Sequence, residues 1–274
     1  MAHNDEKKLV LLDTHAHYHP FCGVSEFFDC AWKNLQSAAV SFDESSNFIG
    51  IICLLETRDS SRFDEIREAA QETSAFGKWR IDIIFDGKFL AAEGEGGAKV
   101  YVVPGRQIVT KENLEVLIIG PSDNVHHEQP LTFYLEQYSG SHLVIIPWGV
   151  GKWLDKRGLV LKQAMYELAQ LDYVLGDSSS RPNCWQRVAQ FEDAKRLGKH
   201  ILPGSDPLPV AGQQRKVGIY GAAFYSNQLA EELVRNLRET VLGLTVEEVR
   251  PFGRSDGLFG FICSQLLLRL NRIK

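Results

Sequence analysis

A pair of histidines two residues apart is the clearest chemical feature of this sequence. His15 and His17 follow an apolar run over residues 9–13. Because side chains alternate across a β-strand, residues two apart point the same way and can share one cation. Asp206 ends a later apolar segment and would add a carboxylate. Imidazole and carboxylate together suit zinc, manganese or iron, so these three residues predict a metal site.

Further polar residues follow other predicted strands. In β/α barrels, functional groups lie at the C-terminal ends of the strands and in the loops after them. Asp206 or Asp177 would act as general base towards a metal-activated water. The basic residues Arg58, Lys152 and Arg181 would bind an anionic group of the substrate, although each of them alone is typical of a solvated side chain at the rim of the barrel. The residues nominated in this way are Glu56, Arg58, His126, His127, Lys152, Asp177 and Arg181.

Strand and helix patterns alternate along most of the chain. Apolar runs predict seven core strands, and most are separated by helical patterns, which favours a parallel, closed or nearly closed sheet covered by helices. An Asp86-Gly87 turn between two apolar runs predicts an inserted β-hairpin over 81–90. The seven strands are predicted at 9–13, 48–55, 99–103, 114–119, 143–146, 173–175 and 200–202.

The sequence is interpreted as one α/β barrel domain over residues 9–250. Residues 1–8 are polar and are expected to form a disordered start. Residues 251–274 are expected to form an apolar and basic helical extension. Its segment 258–270 would form a helix that packs on the barrel and closes it. Alternatively, this helix would mediate self-association or bind a partner or a membrane surface.

Charge, hydropathy and cysteine content indicate what kind of partner and which cellular location to expect. The 274 residues carry a net charge of −5, which does not favour nucleic acid or anionic lipid and makes a small anionic substrate the easier partner. No secretory signal is recognised, and no apolar stretch approaches the roughly 18–20 residues of a membrane span. The five cysteines form no CxxC pair. A cytoplasmic location is therefore expected.

Three segments resemble the PHP (polymerase and histidinol phosphatase) group of metal-dependent phosphoesterases. Asp13-Thr14-His15-Ala16-His17 looks like its opening strand, and Gly204-Ser205-Asp206 looks like its closing motif. The stretch from 103 to 120 is similar to the family's pair of successive strands. The resemblance spans 9–242 and implies a distorted, TIM-like seven-stranded barrel with two or three metals held by histidines, a Glu and an Asp.

The departures from this family pattern all concern its metal ligands. Gln107 stands where the family has a bridging Glu, Trp148 where it has a histidine, and Leu208 where it has its final histidine. The resemblance implies that Glu56 substitutes for one missing histidine, and that His126 or His127 supplies another. The expected cofactor is therefore one divalent metal or none.

Three functions remain open on this basis. The first is a metal-dependent hydrolase, a phosphoesterase acting on a small anionic substrate. The second is a barrel that has lost catalysis and serves as a binding or scaffolding module, as the substitutions at Gln107, Trp148 and Leu208 suggest. The third is an amidohydrolase, which would need a histidine at the end of the fifth or sixth strand, where Trp148 and Asp177 stand.

Overall fold

The computed structural model describes residues 7–19, 21–44, 47–58, 60–121, 125–210, 212–258 and 261–262. The strands in these ranges are β1 (Lys8–Ala16), β2 (Phe48–Glu56), β3 (Ala75–Phe76), β4 (Trp79–Ile84), β5 (Phe89–Glu93), β6 (Lys99–Val109), β7 (Glu115–Ile119), β8 (Leu143–Pro147), β9 (Tyr173–Ser178), β10 (Ile201–Gly204), β11 (Tyr220–Ser226) and β12 (Arg250–Gly253). The helices are α1 (Val24–Val40), α2 (Arg62–Glu72), α3 (Leu131–Tyr138), α4 (Asp155–Glu167), α5 (Ala189–Arg196), α6 (Ala230–Arg235) and α7 (Leu237–Leu242).

The sheet follows the path β10-β9-β8-β7-β6-β2-β1-β11-β12 and curls into a nearly closed barrel. The barrel closes where the end of β10 meets β1: the Asp206 amide donates to the His15 carbonyl at 2.6 Å, and the Thr14 hydroxyl donates to the Pro203 carbonyl at 2.9 Å. Only glycine fits this approach, because a β-carbon on Gly204 would lie 2.5 Å from His15 Cβ.

The sheet is mixed, whereas the sequence favoured a parallel one. Strand β7 is antiparallel to both β6 and β8. The connection from Val109 to Glu115 is too short for the crossover that a parallel pair requires, which accounts for the reversal. All seven predicted core strands are present as β1, β2 and β6–β10, but a seven-stranded barrel is not confirmed.

Two strands that the sequence did not indicate extend the path beyond β1. Strand β11 pairs antiparallel with β1, and β12 pairs antiparallel with β11. Strand β11 reads Tyr-Gly-Ala-Ala-Phe-Tyr-Ser, and its small residues mask the apolar run that marks the other strands. The predicted domain boundary between residues 250 and 251 falls inside β12.

The predicted hairpin is confirmed as the antiparallel pair β4–β5. Its tip contains three consecutive residues with positive φ, namely Phe85 at 51°, Asp86 at 55° and Gly87 at 85°. Strand β5 also pairs antiparallel with β6, and this places the hairpin on the side of the barrel next to α2.

Predictions for both chain ends concern residues that lie partly outside the described ranges. The expected disordered start covers 1–8, of which only Lys7 and Lys8 are described, and Lys8 begins β1. Most of the apolar segment 258–270 is likewise undescribed. In the described part of the chain, no helix has the length and apolar character needed to cross a membrane.

Alternate residues of the strands face the barrel interior and the helices. Val10 and Leu12 of β1 pack in the interior with Leu55, while Leu9 and Leu11 pack outwards with α1. A second outer cluster lies between the sheet and α3, α4 and α5. This alternation decides which polar residues near the strand ends reach the barrel mouth.

A buried carboxylate joins the elements that close the barrel. Asp13 is fully buried, and its Oδ1 accepts hydrogen bonds from the amides of Ser205 at 2.8 Å and His15 at 3.1 Å. Its Oδ2 accepts from the Gly218 amide at 2.8 Å. Asp13 therefore ties β1, the end of β10 and the loop before β11 to one side chain.

Replacing Asp13 by asparagine is expected to destabilise the protein by about 1–3 kcal/mol, because the new NH2 group must face a buried backbone donor. Urea unfolding followed by circular dichroism measures the change. Asp43→Asn is the matched control, since Asp43 is exposed and asparagine tolerates its positive φ of 61°. Equal stability of the two variants would show that the Asp13 contacts contribute nothing.

Candidate metal centre

Barrel closure brings the two predicted histidines and the predicted carboxylate together. His15 Nε2 lies 3.6 Å from Asp206 Oδ1, and His17 Nε2 lies 4.0 Å from the same oxygen. Ligand atoms of the three residues all lie within 4.8 Å of one another. The expectation that the ends of the first and last predicted strands meet at one mouth of the barrel is confirmed.

Gln107 adds a fourth possible metal ligand to the cluster. Gln107 Oε1 lies 3.0 Å from His15 Nε2, and the Nε2 atoms of His15 and His17 are 3.1 Å apart. In the sequence, Gln107 stands out only as the substitute for a family glutamate, and the predicted ligand set does not include it. The signal that could have identified it is its register on β6, where Gln107 follows the inward-facing Val103 by four residues.

The hydrogen bonding of His17 sets its tautomer. Its Nδ1 donates to the Leu55 carbonyl at 2.8 Å, which leaves the Nε2 lone pair facing the cluster. His17 Nε2, Gln107 Oε1 and Asp206 Oδ1 are thus three acceptors that converge on His15 Nε2, which can donate only one proton. A cation at this point would satisfy all of them. Two imidazoles, one carboxylate and one amide oxygen fit a single divalent ion better than a bridged cluster.

The protonation states also suit metal binding. Burial, with a further contribution from the charge of His15, lowers the pKa of His17 to about 4 and favours its neutral form. Burial alone would raise the pKa of Asp206, but His15, His17 and the Ser178 hydroxyl together hold it below its usual value. Both groups are therefore in the forms that act as ligands.

Ser178 orients the carboxylate of the cluster. Its Oγ donates to Asp206 Oδ2 at 3.0 Å and lies 2.7 Å from Ser180 Oγ. Asp206 thus directs Oδ1 to the histidines and Oδ2 to Ser178. The sequence analysis predicts the preceding residue, Asp177, as a possible general base. Neighbouring residues on a strand face opposite sides of the sheet, however, and it is the Ser178 side chain that reaches the cluster.

Asp177 is fully engaged elsewhere and does not fit the role of a free general base. Its two oxygens accept from Arg181 Nε and Nη2 at 2.7 and 2.6 Å, from the Tyr220 hydroxyl at 2.8 Å and from the Ser178 amide at 2.9 Å. Arg181 also donates to the Trp185 carbonyl at 2.5 Å. The pair therefore holds the loop after β9 against the start of β11.

Glu56 lies outside the cluster. It follows the outward-facing Leu54 by two residues on β2, so its side chain points towards α2. Its oxygens accept from Ser60 Oγ at 2.5 Å and from the Phe63 amide at 2.6 Å. Glu56 therefore accepts from one amide in the first turn of α2, that of Phe63, which has no partner within the helix.

The structure does not bring His126 and His127 to the cluster. Both are exposed in the segment before α3. The rule on strand ends gave a wrong prediction here because β7 runs in the opposite direction. Its C-terminal end therefore lies at the other end of the barrel from the C-terminal ends of β1 and β2. Trp148, where the family has a histidine, is buried and packs edge-on against Trp185.

Two of the predicted substrate-binding cations lie at strand ends with carboxylate partners. Arg58 is largely exposed and pairs with the exposed Glu128 at 3.0 Å. Lys152 Nζ pairs with Glu115 at 2.5 Å, and its charge helps to lower the pKa of Asp206. Lys152 is therefore the cation of the predicted set that acts electrostatically on the cluster.

Fold and site together define a mixed α/β protein with a nearly closed barrel and a His/His/Asp cluster at its mouth. No protein-family model and no curated protein matches the sequence significantly. Among solved structures, PsfC from Pseudomonas syringae PB-5123 is similar, with a TM-score of 0.54 and 15% identity over 95% of this chain and 97% of that one. At this identity the likeness shows the fold alone.

Two Endonuclease Q structures are also similar, each with a TM-score of 0.46. One is a complex with a 27-mer duplex that has an abasic lesion at the active site, and it is 12% identical. The other, from Pyrococcus furiosus, is 14% identical. This chain covers 57% and 56% of their lengths, and 86% of this chain is matched in each.

The DNA complex corrects one expectation from composition. The net charge of −5 gives no indication of a nucleic-acid partner, and this expectation is corrected here, since net charge alone does not exclude one and Endonuclease Q is described as a complex with a DNA duplex. Net charge averages over the whole surface, whereas nucleic acid is bound by the local distribution of charge.

Purified protein is expected to contain about one equivalent of zinc, manganese or iron, since the four donors suit a single ion. The double variant His15→Ala/His17→Ala should lose it, because both imidazoles are removed. Elemental analysis of untreated protein measures the content. His126→Ala/His127→Ala is the control and should keep the metal. An empty wild-type protein that also binds no added metal would contradict the assignment.

Replacing Gln107 by glutamate should strengthen metal binding by about tenfold or more, because it adds a negative charge within the cluster. Gln107→Leu should weaken binding, since it removes the oxygen donor. Competition with a chromogenic zinc chelator gives both affinities. If Gln107→Glu and Gln107→Leu bind zinc as wild type does, Gln107 is not a ligand.

Proposed function

We propose that this protein is a metal-dependent hydrolase of the PHP type, a phosphoesterase that acts on a small anionic substrate. The observation that carries the proposal is the convergence of His15, His17, Gln107 and Asp206 at the barrel mouth. Asp206 lies after β10 and the histidines at the end of β1, which matches the motif order of that family.

Each residue of the cluster has a distinct task in this proposal. His15, His17, Gln107 and Asp206 would hold the ion, with His17 fixed by the Leu55 carbonyl. A bound divalent ion would lower the pKa of a coordinated water and polarise the ester. Asp206 would take up the proton of this water as general base, and Ser178 holds its second oxygen in place.

Lys152 is the proposed contact for the anionic group of the substrate. It lies after β8, its pairing with Glu115 fixes its position, and its charge acts on Asp206. Arg58 remains a proposed contact from the rim, where its exposed ion pair with Glu128 is weak and easily exchanged. Arg181 is committed to Asp177, which leaves it a structural role.

Hydrolysis of p-nitrophenyl phosphate and bis-p-nitrophenyl phosphate, with added zinc, manganese or iron, tests this function. Asp206→Asn is expected to lower kcat by about 100-fold or more, because it removes the proton acceptor and a negative ligand. His126→Ala is the control and should retain full activity. Activity that survives in His15→Ala/His17→Ala would show that the cluster is not the catalytic site.

A binding or scaffolding module is the second candidate, favoured by the neutral Gln107 and the buried Trp148 where the family has metal ligands. It predicts a protein that holds its metal but hydrolyses neither phosphoester with any of the three metals. That result would exclude the hydrolase and retain the metal centre.

A further inference from the structure

A groove of about 620 Å3 lies beside β6 on the side of α2 and the β4–β5 hairpin. Four cationic side chains from four separate elements line it. They are Arg67 of α2, Lys88 of the hairpin turn, Arg106 of β6 and Arg235 of α6. These four residues lie far apart in the sequence, and the fold brings their side chains to one groove.

Strand β6 separates this groove from the candidate metal centre. Arg106 and Gln107 are neighbours on the strand, so their side chains face opposite sides of the sheet. Gln107 reaches His15 at the barrel mouth, whereas Arg106 lines the groove outside. The groove is therefore a second site and not an extension of the first.

Positive charge dominates among the side chains of the groove that lack a partner. Glu56 accepts from the Phe63 amide of α2 and keeps its negative charge, and Asp64 pairs with Arg67 at 2.9 Å. Asp86 is the remaining carboxylate of the lining. Over the described ranges of the chain, Lys88, Arg106 and Arg235 form no ion pair with a carboxylate.

The described contacts of Arg106 and Arg235 are weak or uncharged. Arg106 Nη1 reaches the Ser60 carbonyl at 3.4 Å, and the Arg235 guanidinium lies 5.8 Å from the centre of the Phe85 ring. Within the described residues, both guanidinium groups keep donors that can bind an anion. Arginine suits phosphate in particular, because its planar donors bind oxygen pairs.

The hairpin tip that forms one wall is held in an unfavourable backbone conformation. Phe85 is a bulky residue with φ of 51°, a conformation that such residues rarely adopt. Arg67 Nη1 reaches the Gly87 carbonyl at 3.5 Å and links the tip to α2. The tip presents Lys88 to the groove, and strained backbone of this kind is frequent at ligand-binding sites.

We propose that this groove binds a small molecule that bears phosphate groups. The lining carries four cations and three carboxylates, and over the described residues Lys88, Arg106 and Arg235 have no carboxylate partner, so the groove can accept a phosphate group between them. The volume suits a small phosphorylated molecule.

Isothermal titration with pyrophosphate tests the groove. Wild-type protein should bind it, and Arg106→Gln should weaken binding about tenfold or more, because a charge-assisted contact is lost. Arg187→Gln is the control, since Arg187 is exposed and lies outside this groove. Equal affinity of Arg106→Gln and Arg187→Gln would overturn the proposal.

Two further variants complete the test. His15→Ala/His17→Ala should bind pyrophosphate as wild type does, and loss of binding there would assign the anion to the metal centre and overturn the proposal. Lys88→Gln and Arg235→Gln change exposed side chains that the fold does not require, so they test the groove even if Arg106→Gln fails to fold. Each should weaken binding several-fold, and unchanged affinity in both would also overturn it.

Discussion

The contact between the ends of β1 and β10 is the constraint on which the rest of this structure depends. The buried Asp13 carboxylate, the Asp206 amide and the absent side chain of Gly204 all act at this one seam. Asp13 accepts from the backbone amides of His15, Ser205 and Gly218, so it fixes the path of the chain at this seam. Without the seam the barrel would open at the point where its polar residues meet.

The candidate metal centre is a direct consequence of that seam. The Asp206 amide bonds the His15 carbonyl, and the same approach brings the Asp206 carboxylate to the two imidazoles. A cluster of acceptors in a buried position is unfavourable unless a proton or a cation joins them. The geometry therefore links the fold of the barrel to the proposed binding of a metal.

The two faces of strand β6 line two different proposed sites. Gln107 contributes to the barrel mouth, and Arg106 contributes to the outer groove. One strand thus contributes to two sites with opposite preferences, since the mouth suits a cation and the groove suits an anion. The alternation of side chains allows this within two consecutive residues.

The sequence by itself determined the seven core strands and the hairpin at Asp86-Gly87, because apolar runs and turn residues are local properties. The meeting of His15 and His17 with Asp206 could be predicted only through the general rule that strand ends share one mouth of a barrel. Only the tertiary structure decided the reversal of β7, the outward direction of Glu56 and the place of Gln107 in the cluster. These depend on strand pairing and register, which arise between segments far apart in the chain.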